Sequence, residues 1–156
     1  MGIRARIFFI TLSCLFVGFS LSFIVAERDL SIKLQAQIET ELSRQAKILR
    51  KSISGLIDSG DWIALKAEAD EYASASDSRI TIILKNGDVI VDSDIEASRI
   101  NDLDNHSDRP EIISAFDNGY GSSKRFSSTV KKEMFYFALL DKSNNQERVI
   151  RISAVS

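Results

Sequence analysis

The chain from Ile7 to Ala26 is mostly apolar and carries no charge, then gives way to spaced patterns after Glu27. These twenty residues, at about 1.5 Å each, match the roughly 30 Å hydrocarbon core of a bilayer. The run predicts a transmembrane helix over 7–26. Beyond it, Leu30, Leu34, Ile38 and Leu42 recur every fourth residue. Leu42, Ala46, Leu49, Ile53 and Leu56 then alternate steps of four and three, close to a heptad seam. No proline interrupts 27–58, and no glycine does so before Gly55, so a long helix is predicted over 27–58, continuous with the span. Its stripe has two readings. It packs on its own domain, or it pairs with a second copy in a parallel homodimer, and different segments can do each.

Ser59-Gly60 breaks this helix. A second is predicted from Asp61 to about Ala75, with Asp61 as N-cap and Trp62, Leu65, Ala69 and Tyr72 on one side, Trp62 as a core anchor. The period then changes from helix to strand. Arg79–Lys85 is rich in β-branched residues, Asn86-Gly87 is a tight-turn signal, and Val89–Val91 completes a hairpin. A polar connection runs from Asp92 to about Asp108. Asp108-Arg109-Pro110-Glu111 fits a helix start with an aspartate cap and a first-turn proline. A short helix over Ile112–Asn118 should stop at Gly119. Three strands follow, at about Gly121–Ser128, Glu133–Asp141 and Glu147–Ala154, with a turn at Ser143-Asn144-Asn145. This order resembles that of extracytoplasmic PAS-like (Cache) domains. It implies an α+β fold with one antiparallel sheet of about five strands, helices on one face and a loop-bounded hollow on the other. The expected organisation is a short N-terminus (1–6), the span (7–26), a long helix (27–58) and a PAS-like domain (59–156).

The flanks of the apolar run set its meaning. Arg4 and Arg6 precede it, and basic residues stay cytoplasmic, which places the N-terminus inside and residue 27 onward outside a bacterial inner membrane. A cleaved signal needs a shorter core and small residues near the cut, where Ile24 stands. A lipoprotein signal needs a small-residue box before Cys14 and a polar tether after it, where Leu15 continues the apolar run. Cys14 is the only cysteine and lies in the span, so packing alone must hold the outer domain. Removing Arg4 and Arg6 from 20 basic residues leaves 18 against 22 acidic, a net −4 outside. That mild excess gives no support for nucleic acid as a partner. Arg44, Lys47, Arg50 and Lys51 crowd one stretch of the long helix. Arg44 lies about 26 Å beyond the span along an upright helix, far outside a Debye length of about 8 Å, so the stretch reads as a solvated face rather than a lipid-headgroup patch.

Catalytic chemistry has little to stand on. His106 is the single histidine, no nucleophile elbow or phosphate-cradling glycine loop is present, and no Cys/His metal set or cofactor motif occurs. Read as a calcium loop, the stretch from Asp102 has Ser107 and Ile113 where glycine and glutamate are needed. A looser cation site from Asp92, Asp94 and Asp104 is the remaining metal reading, against a solvated acidic loop. His106, Arg109, Arg125 and Tyr136 form the candidate ligand set, because the connection before the short helix and the central strands flank the hollow of such a domain. Arginine's planar fork suits carboxylate or phosphate, and His106 adds a pH-sensitive charge. The competing reading is that Arg109 braces the loop and His106 caps a turn. The candidate partners are a small anion or an envelope protein, with the bilayer held through 7–26.

One ordered set of residues is more specific. It comprises Asp92-Ser93-Asp94, Asn105-His106-x-x-Arg109-Pro110-Glu111-Ile112, Ala115-Phe116-x-x-Gly119-x-Gly121, Arg125-x-Ser127-x-Thr129 and Met134-x-Tyr136-x-Ala138. Over about residues 79–155 it resembles the extracytoplasmic sensor domain of phosphate-regulon-type (PhoR-like) sensor histidine kinases. Two places depart from that pattern. Leu139-Leu140 replaces the usual proline after Tyr-x-Ala, and the last strand reads Arg151–Ser156 instead of ending in Pro-Leu. The resemblance implies the homodimeric input module of a two-component receptor. A second span, a phospho-accepting histidine helix and an ATP-binding domain would then lie downstream, and His106, on the outer side, is not the phospho-acceptor. The chain itself is therefore not expected to be an enzyme. A complete single-span envelope protein that binds another protein, and the input domain of a chemotaxis receptor or cyclic-dinucleotide enzyme, are the rival expectations.

Overall fold

The computed structural model describes residues 2–127, 131–143 and 146–155, the side chain of Ala5 excepted. The chain divides into two compact units, 1–37 and 38–156, and the division falls within helix α1 (Ile3–Ser59). In the first unit the helix is long and apolar enough to cross a membrane. Its apolar side chains, Phe8, Leu12, Phe16, Phe19 and Phe23 among them, are exposed, as is the thiol of Cys14.

The second unit holds the rest of α1, then α2 (Trp62–Ser76), β1 (Arg79–Leu84), β2 (Val89–Asp92), a 3-10 turn (Ala97–Asp102), α3 (Pro110–Asn118), β3 (Tyr120–Ser127), β4 (Lys132–Ser143) and β5 (Gln146–Val155). The Asp61 carboxylate accepts the Ala64 N–H at 3.0 Å and so starts α2. Gly119, at φ 89°, ends α3 with its N–H on the Ala115 carbonyl. The five strands form one antiparallel sheet in the order β2-β1-β5-β4-β3. The α+β, PAS-like architecture expected from the pattern is the one observed.

Strand alternation divides the side chains between two faces. On one face Ile80, Ile82, Phe137, Leu139, Ile150 and Ile152 pack against Leu42, Ala46, Leu49, Ile53 and Ile57 of α1 and Leu65, Ala69 and Ala73 of α2. On the other, Ile83, Ala138, Leu140 and Val149 pack under Ile112 and Ala115 of α3. The two faces need two helix layers, so α3 lies on the side where only loops and a hollow were expected.

Other expectations also change. Leu42, Ala46, Leu49 and Ile53 are buried in their own domain's core and Leu56 packs against it, so this stripe is not open to a second copy. The core takes in α1 from Ile38 onward, well before the boundary expected at 58/59. Trp62 is 49% exposed rather than a core anchor. As the first residue of α2 its side chain leans toward the helix start, away from the sheet that Leu65 and Ala69 cover. The N-cap of α3 is Arg109, not Asp108, and caps with no side-chain bond. The residue before a proline is steered into extended backbone, and Arg109 has φ −73° and ψ 130°, so the helix can begin only at Pro110. The expected turn at Asn144-Asn145 lies outside the described residues, as do Ser128 and Thr129.

Candidate functional site

On the α3 side of the sheet, the half that α3 leaves uncovered is polar. Strand register sets Arg79, Ser153, Tyr136 and Ser123 in one row across β1, β5, β4 and β3. The next row holds Asp92, Thr81 and Arg151 on β2, β1 and β5. Arg125 lies opposite Met134. Above these rows a cavity of about 210 Å³ is closed by the connection before α3, through Leu103, Asp104, His106 and Arg109. All four candidate residues, His106, Arg109, Arg125 and Tyr136, line this one cavity together with Arg79, Arg151 and Ser153.

The connection is fixed to the β1–β2 hairpin. The His106 N–H donates to the Gly87 carbonyl at 2.9 Å, and the Asn105 amide donates to the Asn86 carbonyl at 2.9 Å. Gly87 has φ 88°, and a Cβ there would run into Asn105 and Ser107. Glycine thus serves both the turn and the close approach of the loop that carries His106.

The charges behind the cavity wall form two linked groups. Arg79 holds Asp92 with two forked bonds of 2.9 Å. The Thr81 hydroxyl donates to the same carboxylate at 3.0 Å and accepts from Arg151 at 3.1 Å. Glu111, fully buried in the first turn of α3, serves both remaining arginines. Its Oε1 lies 3.3 Å from Arg125 and 3.5 Å from Arg151, while Ser123 donates to Oε2 at 2.7 Å. The Tyr136 ring lies under both guanidiniums, 4.0 Å from Arg125 and 5.3 Å from Arg151.

Burial shifts these groups. Desolvation pushes Arg151 down to about 10, with the charges of Arg79 and Arg125 acting the same way and Glu111 and Asp92 opposing, and it remains charged at neutral pH. Burial raises the Glu111 carboxyl, but Ser123, its own backbone N–H, Arg151 and Arg125 outweigh that and hold it below the usual carboxylate range. His106 is held below 6.5, first by burial, then by the charges of Arg151 and Arg109. Its Nδ1 lies 2.7 Å from the Asp104 carbonyl, which only accepts, so Nδ1 carries the proton and Nε2 the lone pair of the neutral ring.

Arg79, Glu111, Arg151 and Ser153 were not among the candidates read from the sequence. The available signal was a charge or hydroxyl alternating with isoleucine, Arg79-Ile80-Thr81-Ile82 and Ile150-Arg151-Ile152-Ser153, which marks polar residues on a covered face once β5 is known to be central. The structure does not bring the three carboxylates of the cation reading together as a free ligand set. Asp92 is fully buried and taken by Arg79 and Thr81, and among the described residues no group of three or more metal-ligating side chains lies together. A larger, shallower groove of about 480 Å³ adjoins the cavity, lined by Asp70, Asp77 and Asp94 and sharing Arg79, Met134 and Ser153. Its acid groups Asp70 and Asp94 are half-exposed and already beside Lys66 and Arg79, so it has less to offer a ligand.

No protein-family model matches the chain, and no curated protein matches it. Solved structures share its fold. The ligand-binding domain of Campylobacter jejuni chemoreceptor Tlp3 in complex with 4-methylisoleucine aligns over 78% of this chain and 52% of its own, with a TM-score of 0.57 and 11% identity. The same sensory domain with isoleucine bound gives 0.57 and 12%, over 78% and 53%. A methyl-accepting chemotaxis protein from Vibrio parahaemolyticus aligns over 82% of this chain and 94% of its own, at 0.54 and 15%. The chain thus spans about half the length of the Tlp3 domains. The fold is one that chemoreceptor sensory domains also use.

Proposed function

We propose that this chain is the membrane-anchored input module of a two-component sensor histidine kinase, and that the arginine-lined cavity is where its signal acts. The observation that supports this most is the convergence of six chemically active side chains on one enclosed hollow of a sensor-type fold, namely His106, Arg79, Arg109, Arg125, Arg151 and Tyr136. The ordered residues from Asp92 to Ala138 favour the histidine-kinase class. In this reading residues 7–26 hold the bilayer of a bacterial inner membrane, the N-terminus is inside, and the receptor is a homodimer. Leu42, Ala46, Leu49 and Ile53 are enclosed in the domain, so in this reading the dimer uses other faces of α1 or the spans. A signal moves such a receptor only if it binds two packings with different affinity.

A second reading, the input domain of a chemotaxis receptor, draws on the Tlp3 and Vibrio folds. The coding sequence beyond codon 156 separates the two. A second span followed by a phospho-accepting histidine helix and an ATP-binding domain is the expected result. A methyl-accepting helical domain would support the second reading, and a stop codon with no transmitter would overturn both.

A further inference from the structure

The cavity wall carries more positive charge than its own carboxylates balance. Four guanidiniums, Arg79, Arg109, Arg125 and Arg151, line it. Among the described residues only Asp92 and Glu111 are buried with them, and Glu111 is shared between Arg125 and Arg151. Arg109 has Asp108 at 3.6 Å, but that carboxylate is 76% exposed and weakly held through solvent. Asp94, 3.6 Å from Arg79 in the adjoining groove, and Asp104 at the cavity's edge are also exposed. The enclosed surplus is therefore two positive charges.

The unused hydrogen-bonding groups agree in kind. Among the described residues, the Nε–H groups of Arg109, Arg125 and Arg151, the Nη1 of Arg151 and the Ser153 hydroxyl are buried without a hydrogen-bond partner. They come from three sides, the loop before α3, β3 and β5, and the arginine groups can only donate. A zwitterion is poorly served here. The acceptors left to an ammonium are uncharged or exposed, namely the His106 lone pair, the Ser153 hydroxyl and the Asp104 carboxylate, while Asp92 and Glu111 are engaged and Tyr136 is covered by Arg125 and Arg151.

We infer that this cavity is the binding site of a compact oxyanion carrying two negative charges, of the sulfate, phosphate or short dicarboxylate kind, and that the anion brings a proton onto His106. This rests on the cavity being the signal site and names its ligand class. Empty, the ring is neutral because burial and the positive charges of Arg151 and Arg109 oppose protonation. Arg79 and Arg125 line the same cavity from the facing strands, Asp104 lines it as an exposed carboxylate, and the Asp104 carbonyl on Nδ1 favours the protonated ring. A dianion cancels the surplus and accepts a hydrogen bond from a newly protonated Nε2.

Calorimetric titration of the full chain in nanodiscs at neutral pH tests this, with sulfate, inorganic phosphate, succinate, acetate and isoleucine as probes. At least one dianion should bind one-to-one, about tenfold or more tighter than acetate or isoleucine, since each charge-assisted bond is worth about that factor. Arg109→Ala at the rim should weaken it by about tenfold, and Arg99→Ala, on the exposed 3-10 turn, should leave it unchanged. The heat should vary with the ionisation enthalpy of the buffer, because protons are taken up. Equal or tighter binding of acetate or isoleucine, indifference to Arg109→Ala, or no dianion binding would overturn the inference. If no dianion binds but the intact receptor still answers another stimulus, the ligand class falls and the sensor reading stands. Dianion binding by a chain whose gene encodes no transmitter would do the reverse.

Discussion

Replacing Glu111 with glutamine is expected to lower the unfolding free energy of the sheet domain by about 3–5 kcal/mol, as for removal of one partner of a buried ion pair. The carboxylate is fully buried and is the only buried acid within 4 Å of Arg125 and Arg151 among the described residues, and glutamine keeps its shape while removing its charge. Urea unfolding of the full chain in mild detergent, followed by circular dichroism, measures the loss. Sulfate should restore more stability to the variant than to the parent, because an anion in the cavity faces the same two guanidiniums. The acid limb should change too. Glu111 is held below 4.5, so the unfolded chain protonates first as pH falls. Its contribution is present above about 4.5 and is lost below, and Glu111→Gln should remove that part of the pH dependence. A loss below about 1 kcal/mol, on the scale of an exposed pair, would show that Glu111 is not holding the arginines.

The second large effect lies in the other layer. Leu49→Ala should cost about 2–5 kcal/mol, because Leu49 is fully enclosed between α1, α2 and the sheet and truncation leaves a cavity. The loss should not depend on protein concentration. A stripe that worked as a dimer seam would couple stability to the monomer–dimer equilibrium, so a concentration-dependent loss would contradict the placement of Leu49 in its own domain's core. Leu34→Ala, at a residue 49% exposed, should change stability by less than about 0.5 kcal/mol.

Much of this architecture is legible in the residues because local rules decide it. The uncharged run, the fourfold spacing after it, Asp61 as cap, Asn86-Gly87 as turn and Gly119 as helix stop act within a few residues of themselves. What was misread depends on distant partners. Whether Leu42 to Ile53 meets a second copy or its own sheet cannot be told from spacing, since both want the same stripe. The side of the sheet on which α3 packs follows from strand order, and β5, last in the chain, inserts between β1 and β4. That insertion buries Arg151 and brings Arg79 to it. His106, Arg109, Arg125 and Tyr136 were visible from the loop and strand positions alone. In the sequence Glu111 is only the last residue of the helix-start motif, and only the pairing of β3 with β4 beneath α3 reveals it as the counter-charge of the cavity. The 3-10 turn at Ala97–Asp102 buries no residue and carries no periodic signal, so the polar connection concealed it.

His106 is the only histidine, so its ring signals in a nuclear magnetic resonance titration can be assigned without ambiguity. Followed against pH in the full chain, it should titrate below 6.5 in the absence of ligand, held down by burial and by Arg151 and Arg109. The same titration in saturating sulfate, whose charge is constant over this range, should move the midpoint upward, and by linkage sulfate affinity should rise as pH falls through that window. A midpoint that sulfate leaves where it was would contradict the assignment of this cavity as the place where an anion acts on the protein.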